Sequence, residues 1–139
     1  MDQLIEFSGN NILLVAALFV VIALLAKSFL DSRGINAIKP IRAVELINRD
    51  NAVVLDVRMD DEFKSGHILN SKHIPLGLLS NQIKDLEHHR DQPIVISCRS
   101  GSRARSASSM LRRAGFAKLY VLDGGITAWQ NASLPLQRG

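Results

Sequence analysis

A single cysteine begins the part of this sequence that is best suited to chemistry. Cys98 follows the apolar run at residues 93–97, and the next five residues are Arg-Ser-Gly-Ser-Arg. A thiolate is a strong nucleophile, and nearby arginines and a helix N-terminus both favour its negative charge. Gly101 permits a tight loop whose backbone N–H groups face an anion. The pattern indicates a cysteine nucleophile in an anion-binding loop.

Cys98 also has a plainer interpretation, as a small buried side chain that packs at a strand end. Its surroundings favour the nucleophile, because the loop is basic and Ser102 can cap a following helix. A lone cysteine excludes an internal disulfide and a cysteine-cluster zinc site. His88 and His89 have no partners at metal-ligand spacing, so we expect no metal site there.

The elements that would position this loop alternate between strands and helices. Short apolar runs predict buried parallel strands at residues 52–57, 93–97 and 118–122, with a very short strand at 73–75. Helical spacing predicts helices after Pro40 and at 60–64, 76–86, 102–114 and 126–131. This order predicts an α/β fold with a parallel sheet flanked by helices, and a ligand site beyond the carboxyl ends of its strands.

The N-terminal part of the chain has a different composition. Residues 12–26 are fifteen residues without a polar side chain, and Phe29 and Leu30 extend the run. At ~1.5 Å per residue, residues 12–30 span roughly 28 Å, about the thickness of the hydrocarbon core of a bilayer. We expect a membrane anchor over residues 1–30, with its transmembrane helix at about 11–30. A linker over 31–39 and a domain over 40–139 would follow.

Two alternatives to an anchor are a cleaved signal peptide and a core helix of a soluble domain. The acidic start of the chain argues against a signal peptide, and the absence of a polar face suits lipid better than a protein surface. A core helix stays the alternative for so short a run. The orientation follows from four cations on the C-terminal side of the run, Lys27, Arg33, Lys39 and Arg42. They predict an outside N-terminus and a cytoplasmic domain, a compartment in which a lone cysteine stays reduced.

The loop at residues 98–103 resembles the active-site loop of the rhodanese (sulfurtransferase) family. Further matches follow in order along residues 40–136: Leu55-Asp-Val-Arg58, Glu62-Phe63, Gly66-His-Ile68, Ile74-Pro75, Leu122-Asp-Gly-Gly125, Ala128-Trp129 and Leu134-Pro135. Asn70-Ser71 replaces the usual Gly-Ala, and asparagine tolerates the positive φ of such a turn. Ser133 replaces a common glycine. With its apolar N-terminal segment, the chain resembles small rhodaneses anchored in the bacterial inner membrane.

The resemblance implies a sulfur-transfer mechanism without a metal or cofactor. Cys98 would take sulfur from thiosulfate or a persulfide, and would pass it from a Cys98 persulfide to a thiol or to cyanide. Arg103 would act with Cys98 in catalysis. The implied substrate-binding residues are Arg99, Ser100, Gly101, Ser102 and Arg58. The partners would therefore be small sulfur-containing anions and thiols.

Loop length separates sulfur chemistry from oxyanion chemistry on related folds. Phosphatases and arsenate reductases of this architecture have an arginine six residues after the cysteine, where this chain has Ala104. Arg103 stands one residue earlier, in the Cys-x4-Arg loop associated with sulfur. The sequence therefore favours sulfur transfer over phosphatase or arsenate reductase activity.

Residues outside the loop receive structural roles. The resemblance implies that Asp56 and Arg58 belong to a charge network in which Arg58 pairs with Glu62, with direct substrate contact by Arg58 as the alternative. His67 is expected to make structural hydrogen bonds. We expect Trp129 in the core and a turn at Gly124 and Gly125.

The positive charge of the chain suits a membrane surface. The formal net charge is +4, but only five Phe, one Tyr and one Trp are present. Nucleic-acid binding needs basic residues interleaved with stacking side chains, so we exclude it, and expect the lipid bilayer as the partner. A second functional hypothesis is a membrane-anchored binding module that recruits or regulates a membrane protein, with catalysis secondary. A tether would raise the local concentration of such a module at its partner.

Overall fold

The computed structural model describes residues 1–32 and 34–139, in two compact units, Met1–Gly34 and Ile35–Gly139. Arg33, one of the four cations used to predict orientation, lies outside the described residues. The helices are α1 (Asp2–Asn10), α2 (Ile12–Ser32), α3 (Pro40–Arg49), α4 (Asp60–Ser65), α5 (Leu76–Gln82), α6 (Ser102–Arg113) and α7 (Gly125–Asn131), with a 3-10 helix at Ile83–His89. The strands are β1 (Ala37–Ile38), β2 (Val53–Asp56), β3 (Lys72–His73), β4 (Ile94–Ser97) and β5 (Leu119–Leu122).

The first unit consists of helices. Helix α2 contains a segment, Ile12–Leu30, that is long and apolar enough to cross a membrane, and none of it is buried. The absence of burial separates this segment from the core helix of a soluble protein. Helix α1 was not predicted from the sequence, because nine mostly polar residues carry no strong helical pattern.

The second unit is built on a parallel sheet with the strand order β1-β5-β4-β2-β3. Its central strands, β2, β4 and β5, are the three apolar runs of the sequence. Parallel strands must be joined by crossovers, and helices α3 to α6 supply them on both faces of the sheet. The predicted α/β fold is therefore confirmed.

Side chains of β4 alternate between two hydrophobic clusters. Ile94 and Ile96 pack with α5 and α6 on one face, and Val95 packs with α3 and α7 on the other. Trp129 belongs to the second cluster and is buried as predicted. Because β4 is buried on both faces, its packing fixes the position of the residue that follows it at the carboxyl end of the sheet.

Two boundaries differ from the sequence prediction. Ala37–Ile38, assigned to the linker, pairs with β5 as an edge strand, so the linker does not extend to residue 39. Two residues without an apolar run give no strand signal of their own, and only pairing with β5 defines this strand. The helix predicted over 76–86 changes after Gln82 to a 3-10 helix. With three residues per turn, a 3-10 helix places Ile83 and Leu86 on the same side, toward the core.

The turn at Asn70 has the conformation predicted for it. Asn70 has a φ of 61°, within the left-handed region that asparagine tolerates. Ser133, which replaces a common glycine, also has a positive φ, of 59°.

Candidate active site

Three chain segments meet beyond the carboxyl ends of the central strands. Cys98 follows β4, Arg58 follows β2, and the two glycines at the start of α7 follow β5. The carboxyl ends of parallel strands meet at one edge of a sheet, where ligands bind in such folds. The predicted site residues are thus brought to a common edge by the sheet topology.

The Cys98 sulfur lies at the start of helix α6. Cys98 is 1% exposed and contacts the cluster on the α6 face of the sheet. The backbone N–H of Gly101 donates a hydrogen bond to Sγ over 2.9 Å. This contact is the kind that the sequence predicted for an anion-binding loop, since an N–H donor favours a negatively charged sulfur.

Gly101, rather than Ser102, occupies the cap position of α6. Gly101 has a φ of 115°, and its carbonyl accepts the first helical hydrogen bond, from the N–H of Arg105. Ser102 is the first helical residue, so the expectation that its side chain caps the helix was wrong. The positive φ turns the chain into α6 immediately after the N–H that faces the sulfur, and glycine adopts this φ without steric cost.

Helix α7 fixes the orientation of the loop backbone. The N–H of Ile126 donates to the Cys98 carbonyl over 2.8 Å. The N–H and the hydroxyl of Thr127 both donate to the Arg99 carbonyl, over 3.3 and 3.1 Å. In a trans peptide the C=O and the following N–H point in opposite directions. The N–H groups of Arg99 and Ser100 are therefore directed away from α7.

Gly125 makes this contact possible. A Cβ atom at Gly125 would clash with the Cys98 carbonyl oxygen and would lie 2.6 Å from the Arg99 carbonyl oxygen. Its φ of 57° is also unfavourable for residues with a side chain. The sequence predicted a turn at Gly124 and Gly125, but not that Gly125 touches the loop. Two consecutive glycines after a strand were the available signal.

Arg103 is held by an acidic residue from a different helix. Its guanidinium donates two hydrogen bonds to the carboxylate of Glu62, over 2.7 and 2.8 Å. These bonds are the main reason that the pKa of Glu62 is lowered from 4.5 to about 2. They also raise the pKa of Arg103, to which the nearby Cys98 sulfur adds a smaller effect. Arg103 therefore lies within electrostatic reach of the thiol.

Arg58 has a different partner from the one expected. Its guanidinium donates to both carboxylate oxygens of Asp56, with a shortest contact of 2.7 Å, and to the Gly66 carbonyl. Both side chains are almost completely buried. The predicted pair of Arg58 with Glu62 was wrong, because Arg103 occupies the Glu62 carboxylate. These hydrogen bonds give Arg58 a structural role, holding β2 to the loop at Gly66.

Helix α4, which carries Glu62, is anchored by a stack of three rings. Phe63 lies between the imidazoles of His67 and His73, with centroid distances of 3.8 and 4.2 Å. His67 also shares a hydrogen bond with the Phe63 carbonyl, in the structural role predicted for it. The sequence gave no sign of the stack, because it joins residues from three different segments.

The remaining loop residues are open to solvent. Arg99, Ser100 and Ser102 are exposed, so their side chains are accessible to a ligand. Within residues 1–32 and 34–139, no group of three or more His, Cys, Asp or Glu side chains is arranged to hold a metal ion.

The fold and the loop define a class of protein: parallel α/β domains with a cysteine between a central strand and a helix. The family described as "Rhodanese-like domain" matches residues 40–132. The chain belongs to this family, which confirms the resemblance drawn from the sequence.

Relatives and solved structures agree with this assignment. The uncharacterized protein YibN of Escherichia coli (strain K12) is 35% identical over 142 residues, covering 100% of this chain and 99% of YibN. The thiosulfate sulfurtransferase GlpE of Pseudoalteromonas translucida is 33% identical and covers 66% of this chain and 85% of its own. The crystal structure of a rhodanese-related protein from Thermoplasma volcanium matches with a TM-score of 0.67 and 31% identity, over 73% of this chain and 97% of that one.

We expect Gly125→Ala to destabilise the protein by about 2–4 kcal/mol, because α7 must move away from the loop carbonyls and the positive φ becomes strained. Chemical unfolding of the full chain in detergent measures the loss. Gly77→Ala is the matched control, since a Cβ there meets nothing within 4 Å. It should change stability by no more than about 1 kcal/mol. Equal effects of the two substitutions would contradict the contact.

The pair between Glu62 and Arg103 should make stability depend on pH. Since the pKa of Glu62 is lowered from 4.5 to about 2, its contribution is complete above pH 4.5 and is lost as the pH falls through about 2. At pH 7, Glu62→Gln should cost about 1 kcal/mol. Unfolding midpoints of both proteins between pH 7 and 2 should converge at the acid end.

Glu87→Gln serves as the control for this pH series. Glu87 pairs with Arg90 over 2.6 Å, but on the open surface of the domain. Solvent screens such a pair, so its removal should change the unfolding midpoint less than Glu62→Gln does. If the difference in unfolding midpoint between wild type and Glu62→Gln stays constant down to pH 2, the charge of the carboxylate does not contribute to stability.

Proposed function

We propose that this protein is a membrane-tethered sulfurtransferase that carries sulfur as a Cys98 persulfide. The observation that carries the proposal is the hydrogen bond from the Gly101 N–H to Sγ, within a Cys-x4-Arg loop at the start of α6. The similarity to GlpE, a thiosulfate sulfurtransferase, supports sulfur transfer from thiosulfate, because GlpE aligns with the domain that contains the loop.

The proposed reaction has two displacement steps. The Cys98 thiolate attacks the outer sulfur of thiosulfate, a Cys98 sulfur–sulfur bond forms, and sulfite leaves with the electron pair of the broken bond. An acceptor then attacks the outer sulfur of the persulfide and the Cys98 thiolate is released. Cyanide gives thiocyanate, whereas a thiol gives a new persulfide. An organic persulfide can replace thiosulfate as the donor, with a thiolate as the leaving group.

The loop supplies the electrostatics of both steps. The N–H groups of Gly101, Arg99 and Ser100 stabilise the negative charge on the terminal sulfur of the persulfide. The Arg103 cation attracts the anionic donor and stabilises the leaving anion. Because Cys98 is almost fully buried, a slender terminal sulfur atom reaches Sγ more readily than a bulky group does.

Residue 104 argues against phosphate or arsenate chemistry. Ala104 is fully buried and packs in the cluster on the α6 face. A Cys-x5-Arg loop would have its arginine at this position, which is a buried alanine in this chain. The only arginine that follows the loop at the right distance for a six-residue site is Arg103.

We expect intact-mass spectrometry after thiosulfate treatment to detect the gain of one sulfur atom, because the Cys98 persulfide is the resting product of the first step. Cyanide or a thiol should remove the added mass. Cys98→Ser should gain nothing. Failure of the wild-type chain to gain sulfur from thiosulfate or from an organic persulfide would refute the proposed function.

We further propose that α2 anchors the protein in the inner membrane of a bacterium, with the N-terminus outside and the domain in the cytoplasm. The length and apolar character of Ile12–Leu30 support a span. Lys27 near the C-terminal end of this segment, and Lys39 and Arg42 after it, support the orientation.

A reporter fused after Gly139 tests the anchor and its direction. A fluorescent protein that folds only in the cytoplasm should fluoresce there and should sediment with membranes after alkaline carbonate extraction. An alkaline phosphatase fused at the same position should stay inactive, because that enzyme needs export to fold. Active phosphatase with a dark fluorescent fusion would reverse the orientation.

A further inference from the structure

The short helix α1, which precedes the proposed membrane span, has two chemically different faces. With about 100° of rotation per residue, its apolar side chains fall within about 160° of arc on one side: Leu4, Ile5 and Phe7. Its charged and amide side chains fall within about 100° on the opposite side: Asp2, Gln3, Glu6 and Asn10. Such a division is typical of a helix that lies between an apolar phase and water.

Within the part of the chain that the structure describes, the apolar face of α1 is left largely exposed. Ile5 is 71% exposed and Phe7 is 60% exposed, although both side chains are large and apolar. Helix α1 belongs to the unit Met1–Gly34, together with α2. A cluster of exposed apolar side chains marks an interaction surface, so the apolar face of α1 requires a partner outside the protein.

Helix α1 is not a straight continuation of α2. Asn11 separates the two helices with a φ of −127° and a ψ of 40°, and this ψ is about 80° from the helical value. The backbone N–H and the side-chain amide of Asn11 both donate to the Phe7 carbonyl over 3.1 Å. These hydrogen bonds satisfy a carbonyl in the last turn of α1. Asn11 therefore ends α1 and redirects the chain before the apolar segment begins.

The position of α1 in the chain indicates what covers its apolar face. The segment Ile12–Leu30 is long and apolar enough to cross a membrane. If the span begins at Ile12, all of α1 lies within about 15 Å of the hydrocarbon boundary. An upright α1 would hold Ile5 and Phe7 among headgroups and water, whereas an α1 that lies along the surface buries them.

The binding energy of such a contact comes from apolar burial and from the covalent link to α2. Helix α1 contains no Lys or Arg, so attraction to anionic lipids does not contribute. Three apolar side chains are few for a free peptide. The link to α2 makes the contact intramolecular, and its effective concentration is then high.

We propose that α1 is an interfacial helix that binds the surface of the bilayer at the point where α2 enters it. Leu4, Ile5 and Phe7 penetrate the boundary between headgroups and acyl chains, and Asp2 and Glu6 stay in water. This assignment rests on the membrane span in the proposed function. A surface helix joined at an angle to a spanning helix also fixes the depth of α2, because sliding along the membrane normal would pull the apolar face of α1 out of the lipid.

Nitroxide labels on single cysteines measure the depth of each residue. The full-length Cys98→Ser chain has no other cysteine, so each label has one site. In vesicles of phosphatidylcholine and phosphatidylglycerol, collisions with oxygen report lipid, and collisions with a water-soluble nickel chelate report water. Labels at Ile5→Cys and Phe7→Cys should lie about 5–10 Å below the headgroup boundary. The label at Glu6→Cys, between them in the chain but on the polar face, should contact the nickel chelate.

The order of these three depths distinguishes the possible arrangements. An upright α1 would give depths that change steadily from residue 5 to residue 7, and this result would overturn the proposal. Labels at Ile5 and Phe7 that are shielded from both oxygen and nickel would show that a protein covers the apolar face. That result would equally overturn the proposal.

A charge placed on the apolar face provides a second test. Phe7→Glu should move the label at Ile5→Cys toward water by about 5 Å or more, because the apolar face can no longer enter the boundary. Gln3→Glu adds the same charge on the polar face and should leave the depth of this label unchanged. Equal depths of the Ile5 label in the two variants would contradict the burial of Phe7.

A label at Val21→Cys, in the middle of Ile12–Leu30, separates failure of the interfacial helix from failure of the anchor. This label should be accessible to oxygen and not to nickel. A deep Val21 label without alternation at residues 5–7 refutes the interfacial helix and leaves the anchor. A Val21 label that nickel reaches refutes the anchor and, with it, the lipid contact of α1.

Discussion

The contact between the start of α7 and the carbonyl groups of Cys98 and Arg99 is the constraint on which the rest of the site depends. Three hydrogen bonds turn these carbonyls toward α7, and the planar peptide then turns the following N–H groups the other way. The contact requires the close approach that Gly125 allows. The buried strand β4 fixes one side of the loop, and α7 fixes the other. A cysteine held in this way needs little rearrangement when negative charge develops on its sulfur.

Most charged side chains near the loop are paired with each other within the protein, whereas Arg99 is exposed to solvent. Asp56 is completely buried, so it requires the guanidinium of Arg58, and loss of that partner would leave a buried charge at a cost of about 3–5 kcal/mol. Arg103 and Glu62 join α6 to α4 in a less buried pair. These two pairs occupy most of the charged groups around the loop. The positive electrostatic potential at the loop therefore comes from Arg99, from the backbone N–H groups and from the part of the Arg103 charge that Glu62 does not neutralise.

Much of the fold could be predicted because its central elements have strong local patterns. The runs at 52–57, 93–97 and 118–122 contain the strands β2, β4 and β5, and helix α6 begins at Ser102, as predicted. The short edge strands β1 and β3 have weak local patterns, so the sequence did not predict β1 and predicted β3 at slightly different residues. Strand β1 exists only because β5 offers a free edge, and β3 lies one residue before its predicted start. Short strands take their stability from pairing rather than from their own residues.

The sequence by itself determined that a cysteine stands between a strand and a helix, in a loop with its arginine at the fifth residue after it. These features depend on neighbours along the chain, and local connectivity is enough to establish them. The tertiary structure decided which acid pairs with which arginine. Glu62 and Arg103 are 41 residues apart, and Arg58 is closer to Glu62 in sequence but binds Asp56. Side-chain pairing depends on distances between different elements, and those distances are set by how the helices pack on the sheet.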